Sequence, residues 1–202
     1  MARILILFAH PALEKSRVHK RMVRHVSQMK GVTFRDLYEV YPDFDIDIER
    51  EKQLLLDHDV IIWQHPFYWY SAPALIKQWE DLVLEHGWAY GKGTHALAGK
   101  RIFNVISCGG PREVYSKTGR NRFTIRELLA PFDQTAFLCQ MKYLPPFVVH
   151  GTHRFKEAEI DQYAGQYEQA LDDFINDRVD LDDLIHYEYL NDLPSIIQST
   201  QS

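Results

Sequence analysis

The chain has few cysteines. Cys108 and Cys139 are the only two in 202 residues, and their spacing gives neither a disulfide framework nor a zinc pattern. A reducing cytoplasm is therefore the expected compartment, as a free protein or at the inner face of the cell membrane. No apolar run reaches transmembrane length. The opening MARILILFAH lacks the cleavage features of a signal peptide and reads as a strand. Internal repeats and low-complexity blocks are absent. So is any excess of base. Lys and Arg number 23 against 28 Asp and Glu, for a net charge of −5, which argues against nucleic acid as a partner. From Asp177 onward there are six acids and one base, Arg178, so that segment carries the whole net charge. The boundary expected from this is a folded unit over 1–176 and an acidic tail over 177–202.

What is present is a regular alternation of strand and helix patterns. Hydrophobic residues make up 46% of the chain, enough for one sizeable core. Strand-like runs cover 3–9, 32–38, 60–64, 100–107 and 142–149, the last interrupted by Pro145-Pro146. Helical periodicity covers 16–29, 49–58, 73–86, a start at 124–132, and 156–175. Alternating βα units imply a parallel sheet with right-handed crossovers and helices on both faces. Five strands predict an α/β, doubly wound, flavodoxin-like five-stranded sheet rather than a six-stranded dinucleotide fold.

In such sheets, ligands bind at the carboxyl ends of the strands. Three loops there carry candidate chemistry. After the first strand, His10 precedes a helix capped by Ser16. The open amides of that turn (Ser16, Arg17, Val18, His19), with the helix dipole behind them, suit a phosphate. The loop has no glycine, so it is neither a P-loop nor a dinucleotide fingerprint. After the third strand, Pro66 opens an aromatic run, Phe67, Tyr68, Trp69 and Tyr70, suited to a planar ring such as a flavin. Ser71 and Pro73 read as the cap and first turn of the next helix. After the fourth strand, Ser107, Cys108, Gly109 and Gly110 form a small-residue turn that lets a ligand approach the backbone. Each loop also has a plain structural reading: a core aromatic cluster, an ordinary N-cap, an ordinary turn. Nothing in the sequence marks Cys108 as reactive.

The motif set resembles one family. A-H-P at 9–11 followed by Ser16 and His19, H-P-x-x-W-Y-S-x-P-A-L-x-K-x-W at 65–79, H-G-W-A-Y-G at 86–91 and the double glycine at 109–110 are similar to the flavodoxin-like NAD(P)H:quinone reductases. Within them the chain resembles the ancillary subunits of bacterial glutathione-regulated, Kef-type potassium-efflux systems. Supporting segments are D-L-Y-x-x-Y-P-D-F-D-I-D-I at 36–48 and L-P-P-F at 144–147. The resemblance spans roughly residues 3–175.

It implies an FMN cofactor, ahead of FAD, held by the three loops, with NAD(P)H as co-substrate. It also implies two-electron hydride transfer through the flavin to a quinone, and a homodimer. The alternative it implies is a regulatory subunit docked on the cytoplasmic domain of a potassium/proton antiporter, with catalysis secondary. Two positions depart from the family pattern. His19 stands where asparagine is usual. Tyr115 fits the family's assisting tyrosine, while Asn121 occupies the approximate place of its histidine partner. The tail holds Leu181, Leu184, Ile185, Tyr187, Tyr189 and Leu190, too apolar for a solvated segment. Its middle is expected to pack across a dimer partner or on a transporter.

Overall fold

The computed structural model describes residues 1–198. Its sheet has strands β1 (Ile4–Phe8), β2 (Val32–Asp36), β3 (Val60–Pro66), β4 (Arg101–Ser107), β5 (Lys142–Tyr143) and β6 (Phe147–Val149). The spatial order is β2-β1-β3-β4, with both β5 and β6 pairing β4, and all pairings are parallel. There are thus five strand positions. The last is split in two because the Pro145-Pro146 pair interrupts the ladder, as proline lacks the amide a strand must donate.

The strands alternate between two cores, as the period of two requires. Leu5 and Leu7 of β1 face one side, with Ile61 and Trp63 of β3. Ile4, Ile6 and Phe8 face the other, with Val60 and Ile62. The first side is covered by α3 (Ile48–Asp57), α4 (Ala74–Val83) and α6 (Ala130–Leu138), the second by α1 (Arg17–Val26) and α7 (Glu157–Ile175). Two short helices complete this part, α2 (Leu37–Val40) and α5 (Ile125–Leu128).

Ser16 caps α1 as the sequence implies, its hydroxyl accepting from the His19 amide at 3.1 Å. Ser71 does not cap α4. Pro73 takes that position and no side chain bonds there. The turn at Tyr68–Tyr70 sets the chain direction before the helix begins, which leaves Ser71 too early. Behind that turn, α4 is anchored by a fully buried carboxylate. Glu51 of α3 accepts from Trp79 Nε1 at 2.9 Å, from the Tyr41 hydroxyl and from Arg35 of β2. Burying a carboxylate without such partners is costly.

The tail folds back on its own chain. Leu184, Leu190, Leu193 and Ile196 are buried beside α7, and Tyr189 is buried on the opposite side of the sheet edge. It ends in α8 (Pro194–Gln198). Intramolecular cover was available because β6 is an edge strand with an unpaired outer side. Leu190 N donates to Pro146 O at 3.0 Å, and Val148 N donates to Asn191 Oδ1 at 2.8 Å.

Candidate functional site

Parallel pairing brings the ends of β1, β3, β4 and β6 to one rim, where their loops enclose a cleft of about 940 Å³. That is large enough for a cofactor together with part of a substrate. The β1 loop contributes His10, Ala12, Lys15 and Ser16, and the β3 loop Pro66 through Tyr70. Ser107, Gly109 and Gly110 come from the β4 loop.

The aromatic run is laid out as an exposed shelf. Trp69 is 93% exposed, and Tyr68 and Tyr70 are about half exposed. Trp69 and Tyr70 both have positive φ, +51° and +63°. Two adjacent bulky residues in the left-handed region cost roughly 1–3 kcal/mol each. Strain of this kind clusters where a ligand is held. Phe67 is buried beneath them and touches the Tyr115 ring at 6.3 Å.

Gly109 and Gly110 are required by space. A Cβ on Gly109 would collide with the His153 ring, and one on Gly110 would sit 2.8 Å from the Val114 side chain. The chain can pass between cleft and neighbours there only without side chains.

Not every expected residue reaches the cleft with its side chain. Arg17 turns outward to Glu157 and to Phe155 O at 3.1 Å, and Val18 is buried in the core under α1. Their amides remain at the open end of α1, and those are the groups a phosphate would use. His19 lies fully buried beneath the cleft floor. Its Nε2 meets Ser107 Oγ at 2.9 Å, while Nδ1 has no partner. Burial holds its pKa well down, so the ring is neutral. His10 lines the cleft, its Nδ1 accepting from Ala12 N at 3.1 Å, and burial lowers its pKa too. Cys108 points away from the cleft, towards His150 at 3.3 Å. Burial lifts its thiol to about 12, so it is an inert packing group.

The sequence reading missed a fourth wall. Gly151, Thr152, His153 and Arg154, from the loop after β6, line the cleft, as do Arg120 and Asn121. Asn121 Oδ1 accepts from the Tyr70 hydroxyl at 3.3 Å, joining the shelf to the loop bearing Tyr115. The signal available was topological, since the β6 loop must reach the same rim as the other parallel strands. Lys15, Arg120 and Arg154 make no side-chain ion pair among the described residues, and no Asp or Glu lines the cleft. In a chain of net negative charge, that leaves an electropositive site suited to phosphates.

Tyr115 is at the wall, buried and against the His150 ring at 5.7 Å. Burial raises its phenol pKa, so it keeps its proton at neutral pH and has a hydrogen to donate. Beneath the rim, His65 is buried and held down to about 4 by desolvation. With the ring neutral, its Nε2 accepts from Asn104 Nδ2 at 3.0 Å, and Nδ1–H donates to Pro66 O. The network fixes the strand end from which the shelf springs.

These residues fit a flavin mononucleotide. The amides at α1 and Lys15 suit its phosphate, the shelf its ring, and the glycine turn its polar edge.

Known proteins share this framework. The sequence pattern of the Flavodoxin-like fold family matches residues 2–171. The chain is 43% identical over 169 residues to the ancillary protein KefG of a glutathione-regulated potassium-efflux system of Pectobacterium carotovorum, covering 84% of this chain and 92% of that protein. General stress protein 14 of Treponema denticola, solved in complex with FMN, superposes with a TM-score of 0.80 at 40% identity, over 84% of this chain and 98% of that one. An NADPH-quinone reductase from P. pentosaceus superposes with a TM-score of 0.75 at 35% identity, over 83% and 96%.

Proposed function

The chain belongs to the Flavodoxin-like fold family, and on that premise we propose that it is an FMN-dependent NAD(P)H:quinone oxidoreductase. The observation that carries this reading is the acid-free cleft, where an open helix start, a strained aromatic shelf and a glycine turn meet. The similarity to an FMN complex and to an NADPH-quinone reductase supports it.

In the overall reaction NAD(P)H, a proton and a quinone give NAD(P)⁺ and a hydroquinone. The flavin, when bound, supplies the acceptor for the hydride and the donor to the quinone. The chain's own residues bind and orient. The amides of Arg17 and Val18, with Ser16 and Lys15, would hold the phosphate, and Trp69 and Tyr70 would stack on the ring. The backbone of Ser107–Gly110 meets the ring edge. Arg120 and Arg154 face the phosphates of the nicotinamide nucleotide. Tyr115 offers its hydroxyl hydrogen to the reacting oxygen. The flavin site lies within residues 1–176, and the chain works in the cytoplasm as a homodimer. Tyr68 and the 86–90 segment supply the aromatic surface for that contact, while the apolar face of α4 (Leu75, Ile76, Trp79 and Val83) is taken up by the chain's own core.

The test is direct. The purified protein is expected to be yellow and to release FMN identified by mass. It is expected to oxidise NADPH or NADH only when a quinone such as menadione is present. A colourless protein that gains no flavin on incubation with FMN would falsify the reading. The KefG similarity favours a second role, docking on the cytoplasmic domain of a potassium/proton antiporter. Co-purification with such a transporter, undiminished in a flavin-free shelf variant, would place that role ahead of catalysis.

A further inference from the structure

The family match ends at residue 171, yet the segment beyond it grips two walls of the cleft. Arg112, just before the Tyr115 turn, donates to Asp192 through both terminal nitrogens, at 2.8 and 3.1 Å, and to Glu188. Its guanidinium lies over the Tyr189 ring at 4.5 Å. Tyr189 meets the His150 ring edge-on at 5.4 Å, and His150 meets Tyr115 at 5.7 Å. The segment's backbone and Asn191 bond the outer edge of β6, whose loop carries His153 and Arg154. Arg126 Nη1 adds a bond to Tyr187 O at 3.4 Å.

The geometry points to residues 184–193 as a clasp that sets the position of Tyr115 and of the 150–154 loop, with Arg112 as its positioning residue. The chemistry suits that role. A planar guanidinium that is both bidentate and stacked fixes direction as well as distance, which a point charge cannot do. The ion pairs are part-exposed, so they add little to global stability. Their effect is local. Arg112 does not line the cleft, whereas its neighbours Pro111, Val114 and Tyr115 do. Among the described residues, the site residues on the loops after β1 and β3 make no bond to the clasp. One side of the cleft is therefore held by the core fold and the other by the extension.

This inference rests on the reductase reading for its kinetic arm only. The test uses the full-length FMN-loaded protein and the variants Arg112→Gln, Arg112→Lys and Asp192→Asn. Amide hydrogen exchange reads the clasp without turnover. In Arg112→Gln, exchange across 112–116 and 150–154 is expected to quicken about tenfold, while 10–19 and 67–70 stay within about twofold of the parent. Kinetics read its consequence. Reduction of the flavin by NADPH should hold within about twofold, and reoxidation by menadione should slow about tenfold, since misplacing a reacting group costs rate steeply. Arg112→Lys should recover part of that loss, and Asp192→Asn should lose less than Arg112→Gln. Unchanged exchange in the two loops overturns the clasp. So does a slowing of both half-reactions in proportion to lost flavin or lowered Tm, which marks simple destabilisation. A parent that never oxidises nicotinamide rejects the reductase reading and leaves the exchange arm to decide the clasp.

Discussion

The aromatic loop after β3 and the C-terminal segment use similar residues in opposite ways. The loop holds Tyr68 and Tyr70 nearly half exposed and Trp69 almost fully exposed, on a backbone with two positive φ angles. The tail holds Tyr189 at 1% exposure and Leu190 at zero, on a backbone bonded to the edge of the sheet. Read in sequence, the loop looked like a core cluster or a cofactor shelf, and the tail like an acidic segment whose apolar middle packs on a partner. The contrast teaches that apolar content does not say where a segment packs. The available partner does. The tail finds an uncovered edge strand in its own chain, while the shelf meets only a cleft.

The largest test of the contrast is deletion. Removing residues 179–202 strips Leu184, Tyr189, Leu190, Leu193 and Ile196 from the core, each at 4% exposure or less. At roughly 1.5–3 kcal/mol for each fully buried side chain, the loss exceeds the ~5 kcal/mol lower edge of a domain's stability. The deleted protein should be insoluble or lack a cooperative melt. A truncated protein that melts within a few degrees of the parent breaks the comparison.

Next comes acid. His150, beside the tail, and His65, below the shelf, are both held down to about 4 by burial, against an ordinary value of 6.5. The folded state therefore binds fewer protons than the unfolded one between those values. The stability this carries is complete above pH 6.5 and is lost as pH falls towards 4, on the order of 1–3 kcal/mol per histidine. Glu80 runs the other way. Burial raises its carboxyl to about 7, which penalises the folded state as pH rises from 4.5 to 7. Denaturant midpoints across pH 4–8 should fall on the acid side in the parent. A His150→Gln variant should flatten part of that fall, and if it keeps the whole slope the histidine assignment is wrong.

The smallest effect is the most specific to the shelf. Trp69→Ala with Tyr70→Ala should weaken FMN by roughly 1–3 kcal/mol, the scale of aromatic stacking on a base, with the Tm of the flavin-free protein hardly moved. Trp69→Gly should go further and raise that Tm by about 2–4 °C, because glycine tolerates the positive φ at no steric cost. Calorimetry on the flavin-free protein checks both. A Trp69→Gly protein that melts lower than the parent would mean the turn is packed rather than strained.

Much of the fold could be read without coordinates. Periodicity and alternation are local properties, so β1, β3, α1 and α7 fall within a few residues of their expected bounds, and parallel order follows from the crossovers. Ser16 as a cap, the shelf and the double glycine were visible for the same reason, each being one loop next to one strand. Where an expectation turned on orientation, tertiary packing decided. Arg17, Val18 and Cys108 sit at the right positions in the chain, but helix phase and strand pleat turn their side chains away from the cleft. His153, Arg154 and Arg120 entered from loops with no motif, because convergence at a rim depends on the whole sheet. The tail's docking on β6 depended on an edge being free, which is a property of the assembled sheet and of no single segment.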